Sequence, residues 1–379
     1  MRYLFTTTPG FSHVTPLVPL AHAAQLAGHQ VLFAVSGPAL RAVTEAGLPA
    51  VEAAPGQDVT RPYITLATTA VEREMSVEET MDRVFAAFGE IGDMLLDGVE
   101  DTARTWGADA VLHPPMLPAG LVAARNTGVP AVVHGLGLRH PSFPLRGRAA
   151  AVHEGSAHPD AEISLGPDSL ERVSPTAPRG ESPYPVLTMR PSSYNGGGEL
   201  PSWALRRGER RRIVVTLGSV AAHSGQAELL SALVRGTAEL GVEVVLTSGG
   251  ADLSALIGEP PPHVRAVDWI PLSALLPTCD GVVHHGGMGT MFAALGAGVP
   301  QVIVPTTKGD ALSNARVLTE RGAGLELAPA DVAVDSVAKT VGALLDTPAP
   351  RAASQEVAAE MAAMPSPAAT VASLAALLS

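Results

Sequence analysis

Between Val283 and Thr290 the chain reads Val-His-His-Gly-Gly-Met-Gly-Thr, and no other stretch is as well equipped for chemistry. Residues 281–284 are strand-like and 289–297 keep helical spacing, so the glycines stand where a strand hands over to a helix N-terminus. Glycine lets backbone N–H groups approach a ligand, the helix end carries partial positive charge, and His285 and Thr290 add side-chain donors. His285 with Gly287, Met288, Gly289 and Thr290 therefore reads as a cradle for a diphosphate. The spacing fits neither G-x-G-x-x-G nor G-x-x-x-x-G-K-[ST], so the fingerprints of a dinucleotide dehydrogenase and of a P-loop NTPase are missing. The bland alternative is a glycine-rich turn holding one buried histidine. His284, inside the strand, reads as a packed or hydrogen-bonded neighbour rather than a ligand. His13 lies on the loop after the first strand, where an imidazole with an ordinary pKa of about 6.5 suits acid–base work, although a lone loop histidine is usually a surface or capping residue.

The elements that must position these groups form two α/β series. The first opens as a strand over 2–7, a loop from Pro9 to Pro16, a helix over 17–27, a strand over 30–35 and a helix over 38–46. Further strands are expected over 110–113, 130–134, 163–165 and 186–189. A long helix over 77–105 carries the stripe Met81, Val84, Phe85, Phe88, Ile91, Met94 and Leu95, which reads as core, with its Phe and Met residues also able to wall an apolar ligand. Residues 135–185 read as loops with short helices. Arg190-Pro191 followed by Gly196-Gly197-Gly198 is the best linker, because three glycines after a proline do not sit inside an element. Strands over 213–217, 242–246, 264–267, 281–284 and 301–304 then alternate with helices over 225–239, 289–297 and 311–321. The expected architecture is α/β, two Rossmann-like parallel-sheet domains, with ligands at the carboxyl ends of the strands. Boundaries fall at 1–190, a linker over 191–205, 206–363, and a terminal helix over 364–379 set off by Met364-Pro365-Ser366-Pro367.

Twenty-five Lys and Arg against 37 Asp and Glu leave a formal charge of −12, which argues against nucleic acid as a partner because phosphate backbones need a cationic face. Cys279 is the only cysteine, so neither a disulfide framework nor a cysteine-based zinc cluster is expected, and a reducing cytoplasm fits. No metal site is read anywhere in the chain. The first residues are too poor in apolar side chains for a signal segment, and no run approaches the roughly 20 apolar residues of a membrane span, so neither secretion nor a membrane is expected.

The ordered series Asp268-Trp269-Ile270-Pro271-Leu272, Leu275-Leu276-Pro277, His284 through Thr290, Ala297-Gly298-Val299-Pro300-Gln301, Asp310 and Asn314-Ala315 resembles the nucleotide-sugar signature of family 1 glycosyltransferases of the GT-B fold, the enzymes of antibiotic and other natural-product pathways. Pro9-Gly10, His13, Pro16 to Ala21 and Ala27-Gly28-His29 are similar in order to that family's N-terminal half, and Arg190-Pro191 with Tyr194-Asn195-Gly196 to its interdomain joint. The resemblance implies an acceptor domain, then a donor domain, a cleft between them, and a last helix crossing back to the first. It implies a hexosyltransferase that uses a nucleotide sugar as co-substrate, needs no further cofactor and inverts the anomeric centre; a homodimer is compatible with it. On the donor side it puts His285 and the 287–290 turn at the diphosphate, Gly218 and Ser219 opposite them, Trp269 at the nucleobase, Ile270 beside it among the donor-binding residues, and Asp310 at sugar hydroxyls. His13 becomes the general base on the acceptor, and Phe85, Phe88 and Met116 become acceptor-binding residues.

Two positions depart from the family pattern. Asp310 is followed by Ala311 where sugar-hydroxyl-rich members have Gln, and one extra residue precedes it; losing that amide suits a deoxysugar donor, with dTDP as the carrier. Pro114 occupies the place of a carboxylate that orients the catalytic histidine, and proline neither accepts a proton nor bonds a ring nitrogen through its side chain. The expected reaction is deoxysugar transfer to an aromatic, polyketide-type acceptor, at oxygen or at carbon. The alternatives are a nucleotide-sugar epimerase of the same fold and a non-catalytic auxiliary partner of a transferase.

Overall fold

The structure, a computed structural model, describes residues 1–379 apart from 73–75, 152–156, 219–226, 251 and 307–308. Its described residues divide into two compact units, one made of Met1–Gly166, Thr176–Gly196 and Met364–Ser379, the other of Pro167–Pro175 and Gly197–Ala363. Pro167–Pro175, which the sequence reading left with the N-terminal domain, belongs to the second unit: Ser169 donates from its backbone N (2.9 Å) and its Oγ (2.5 Å) to the Glu360 carboxylate.

In the first unit seven strands, β1 (Arg2–Phe5), β2 (Gln30–Val35), β3 (Ala50–Glu52), β4 (Ala110–His113), β5 (Ala131–His134), β6 (Ala161–Ser164) and β7 (Val186–Thr188), lie side by side in the order β3-β2-β1-β4-β5-β6-β7. All pairings are parallel, with Phe5 opposite both Phe33 and Leu112. Strands β4 and β5 are buried along their whole length, which is why they read as unbroken apolar runs rather than alternating ones. Successive residues still point to opposite faces. Phe5 and Leu112 join one core layer with the helix Val18–Leu26 and with Val371 and Leu374 of the terminal helix Pro367–Leu377. Leu4 and Val111 join the other, against Ile91, Leu95 and Val99 of the helix Val77–Trp106 and the helix Ala119–Thr127.

The long helix has clear punctuation. Ser76 Oγ accepts from Glu79 N (3.1 Å) while the Glu79 carboxylate accepts from Ser76 N (3.0 Å), and Gly107 closes the far end at φ +66. Its apolar stripe divides the labour: Ile91 and Leu95 are fully buried in the core, whereas Phe85 and Phe88 wall a hollow described below.

The second unit repeats the plan with six parallel strands, β8 (Arg212–Thr216), β9 (Glu243–Thr247), β10 (Val264–Val267), β11 (Gly281–His284), β12 (Gln301–Ile303) and β13 (Gly324–Glu326), in the order β10-β9-β8-β11-β12-β13. Each sheet reverses its strand order once, between β1 and β4 in the first and between β8 and β11 in the second. The carboxyl ends of strands flanking such a reversal leave a crevice where the connections diverge, the usual place for a ligand in this architecture. No helix among the described residues is long and apolar enough to cross a membrane.

Candidate active site

At the reversal in the second unit, β8 delivers Gly218 and β11 delivers His285. The imidazole of His285 is wedged between two glycines. A Cβ on Gly218 would stand 2.6 Å from the ring Cε1, and one on Gly287 2.5 Å from Nε2, so the ring can occupy this place only because both neighbours lack side chains. Gly218 also sits at φ +71. Burial pulls the His285 pKa below the ordinary imidazole value, the Thr216 backbone opposing it in part, and Nδ1 is buried with no hydrogen-bond partner among the described residues.

The turn after β11 is held from below. His284 is fully buried; its Nδ1 accepts from Gly286 N (3.2 Å) and its Nε2–H therefore donates to Gln301 Oε1 (2.8 Å), which fixes the tautomer. Burial, with the neighbouring His285, pushes its pKa down to about 3. Asn314 Nδ2 donates to Gly286 O (2.8 Å) from the opposite side. The family-type Asn314 and the packed His284 thus hold Gly286 by its carbonyl and its N–H, and His284 is not available to a ligand.

Gly287 caps the helix Met288–Gly296 with no side chain bonded to its first turn, so the N–H groups of Met288, Gly289 and Thr290 have no partner inside the helix. Gly289 differs from Gly218 and Gly287, because a Cβ there would meet nothing within 4 Å. No neighbour among the described residues requires glycine at 289; what the missing side chain keeps clear is the space in front of the helix end.

The remaining donor-side candidates divide. Trp269 follows β10 and is 46% exposed, a large apolar face turned outward beside Asp268, whose Oδ1 accepts from Ser248 Oγ. Ile270, in contrast, spends its side chain on the core with Val245, Leu275 and Val282, so only its backbone is left for a ligand. Asp310 is exposed at the first turn of the helix Asp310–Glu320. Ala311 is buried beneath the cradle, where its Cα and Cβ would stand 2.9 Å from a Cβ on Gly286. Ser219 lies outside the described residues.

At the reversal in the first unit, β1 runs on through the buried Thr6, Thr7 and Thr8 into a one-turn helix, Phe11–Val14, where the sequence suggested only loop. His13 sits on that turn, half-buried. Its Nδ1 is hydrogen-bonded to Thr8 Oγ1 and lies 3.4 Å from Tyr63 Oη. Its ring is 6.0 Å from Phe88 and 6.4 Å from Tyr63, and Tyr63 meets Phe88 edge-on at 5.4 Å. Burial alone brings the His13 pKa down to about 4. Phe143, from a segment read only as loop, packs edge-on against both Phe85 (4.8 Å) and Phe88 (5.4 Å). Phe85, Phe88, Met116 and Phe143 then line one small apolar hollow, with Arg146 stacked 5.7 Å over Phe85 and paired to Asp82. Tyr63 and Phe143 carried no sequence signal, since neither falls in a periodic run; only the fold brings them to His13 and Phe88.

Pro114 follows β4, the strand beside β1, and its carbonyl accepts from Nδ1 of the buried His113 (3.1 Å). His134 at the end of β5 repeats the arrangement, Nδ1–H donating to Gly135 O (2.6 Å). Both are pushed down to about 4, chiefly by burial. His134 is fully buried, while the more open His140 lies with its ring 5.9 Å from that of Phe143. Among the described residues no group of three or more His, Cys, Asp or Glu is placed to hold a metal ion. Cys279 is buried, its thiol pushed up to about 12 chiefly by desolvation.

Comparison with known proteins bears on this geometry directly. Residues 22–218 match the N-terminal domain, and residues 229–377 the C-terminal domain, of the erythromycin biosynthesis protein CIII-like family. The elloramycin glycosyltransferase ElmGT of Streptomyces olivaceus is 38% identical over 97% of this chain and 95% of its own. The crystal structure of the glycosyltransferase SnogD from Streptomyces nogalater superposes with a TM-score of 0.81 at 37% identity, covering 100% of this chain and 99% of that one. That of the glycosyltransferase VinC in complex with dTDP gives the same TM-score at 30% identity, with the same coverage. The repeated parallel sheets and these matches agree, and the chain belongs to the erythromycin biosynthesis protein CIII-like glycosyltransferases, GT-B enzymes of natural-product biosynthesis.

Proposed function

We propose that this enzyme transfers a deoxysugar from a dTDP-linked donor to an aromatic, polyketide-type acceptor, with inversion at the anomeric carbon. The observation that carries the reading is the cradle itself: an imidazole wedged between two obligatory glycines beside an uncapped helix end, with the space before Gly289 kept clear. A departing nucleoside diphosphate gains negative charge in the transition state, and preset N–H donors aimed at that charge lower the barrier without reorganising. The exposed Trp269 supplies a flat face for the thymine base, and Asp310 an acceptor for sugar hydroxyls. Ala311 leaves one hydroxyl position without an amide partner, which suits a donor lacking that hydroxyl. The VinC complex with dTDP supports the choice of nucleotide. In this reading His285 and backbone N–H groups meet the diphosphate charge, and no separate cofactor enters.

His13 takes the acceptor proton as the bond to the anomeric carbon forms, and the Phe85, Phe88 and Met116 hollow holds apolar acceptor surface. The epimerase alternative gives no role to an aromatic wall beside His13, and turnover by the purified chain alone separates an enzyme from an auxiliary partner.

Calorimetry tests the donor side. His285→Ala is expected to weaken dTDP binding by about 1.5–3 kcal/mol, the range for hydrogen bonds to charged groups, with acceptor affinity unchanged. Unchanged dTDP affinity would remove His285 from the diphosphate. Gly289→Ala gives an independent check, since the added methyl meets no atom of the described residues and alanine is the better helix former. It should fold with undiminished stability by thermal melt, yet bind dTDP at least about tenfold more weakly, a loss of about 1.4 kcal/mol. Parental binding by Gly289→Ala would mean that the diphosphate keeps clear of this helix end.

A further inference from the structure

Resting on the reading of His13 as the base, we propose that Thr8 is its positioning residue, and that a neutral hydroxyl pair, Thr8 and Tyr63, occupies the role for which the family pattern has a carboxylate. The geometry points to one proton arrangement. His13 Nδ1 meets Thr8 Oγ1 and has Tyr63 Oη at 3.4 Å, and the two hydroxyls bond each other. A histidine that accepts a proton from an acceptor at Nε2 must carry its own proton on Nδ1. That proton goes to Thr8 Oγ1, and the Thr8 hydroxyl hydrogen then goes on to Tyr63 Oη, so Thr8 accepts once and donates once.

Several features hold Thr8 to this task. It is fully buried at the carboxyl end of β1, its carbonyl accepts from Gly10 N (2.8 Å), and the neighbouring Thr7 Oγ1 donates to His13 O (3.3 Å), which ties the one-turn helix back to the strand. Gly10 packs against the same ring edge, a Cβ there standing 3.3 Å from Nδ1. Among the described residues no charged group perturbs the His13 pKa, which burial alone lowers. Pro114, at the carboxylate's place, has only its carbonyl to offer, and His113 takes it.

A hydroxyl orients the ring as well as a carboxylate does, but it brings no negative charge to balance the imidazolium. The tautomer is thus fixed while the base stays weak, and acceptors that ionise readily are favoured.

Nitrogen-15 NMR of histidine-labelled protein reads the tautomer without any need for turnover. The parent is expected to show His13 protonated at Nδ1 and bare at Nε2; a parent spectrum with the proton on Nε2 overturns the proposal outright. Thr8→Val keeps the shape and removes the hydroxyl, so the two ring nitrogens should shift toward a mixture of tautomers, with Thr8→Ser restoring the parental pattern. A parental spectrum in Thr8→Val also overturns it. With dTDP-L-rhamnose as donor, Thr8→Val should lower kcat for cyclohexanol about tenfold or more, with KM unchanged and a smaller loss for a naphthol. If His13→Gln retains parental rates on both acceptors, His13 is not the base, while the spectra still decide whether Thr8 sets its tautomer.

Discussion

Acidification from about pH 7.5 to about pH 5 should unfold the first unit before the second. His113 and His134 are fully buried there, each with a native pKa of about 4, against about 6.5 in an unfolded chain. The native pKa is the lower one, so the fold favours the neutral ring. Its contribution is complete above about pH 6.5 and is lost as pH falls from there toward 4, because the unfolded chain binds protons that the native state refuses. At pH 5 each ring costs about 2 kcal/mol, about 4 for the pair, and the half-buried His13 adds a smaller share. Against a total of about 5–15 kcal/mol for a typical domain, that is a large fraction. The second unit carries the same penalty at His284, with a smaller one at His285. Hydrogen exchange followed by mass spectrometry should show protection lost first over β1, β4 and β5 and later over β8 and β11. Equal protection in both sheets down to pH 4.5 would show that these histidines are hydrated or protonated in the native state.

His13→Ala should lower kcat/KM by about 10²–10³ for simple alcohols and by less than about tenfold for acidic phenols. General-base catalysis is worth about 10²–10⁴, and the low end applies to a base with a pKa near 4 and no carboxylate behind it. A phenolate already carries the charge that the base would create, so its removal costs that acceptor little. Because a base with a pKa near 4 stays neutral well above pH 5, the parent's alcohol rate should hold flat from about pH 7.5 to about pH 6, where an ordinary imidazole would already be losing it, and the lower mutant rate should be flat as well. The check is kcat/KM against pH for an alcohol and a phenol in both proteins. Equal losses for the two acceptors would mean that His13 positions the acceptor rather than taking its proton.

Much of this was legible in the sequence because the parts involved are local. The turn from His284 to Thr290 is contiguous, and its glycines mark it as a place of close packing, although that Gly287 makes room for the His285 ring is visible only in the fold. The buried strands β4 and β5 betray themselves as short apolar runs. What escaped was of two kinds. The edge strands β3 and β13 have only three residues each, too short for a period to register, and the helix Ala119–Thr127 is buried from Ala119 through Ala124 and so has no polar face to contrast with an apolar one. The second kind is assembled by topology. Thr8, Tyr63, Phe88 and Phe143 come from four separate segments and converge on His13 and its neighbouring hollow only once β1 and the two helices beyond it are in place. Ile270 shows the converse, a motif residue whose side chain the core claims.

The terminal helix Pro367–Leu377 imposes an order on synthesis. Val371 and Leu374 complete a core layer some of whose other members, Val18 and Ala21 among them, leave the ribosome more than three hundred residues earlier, and Arg190 N donates to Pro365 O (2.7 Å) only once this end of the chain is made. The nascent first unit must therefore persist with an apolar trough uncovered while the whole second unit is translated and folds. A stop codon ahead of Pro367 would therefore leave that layer open with both sheets already made, a cost borne far along the chain from the helix that it exposes.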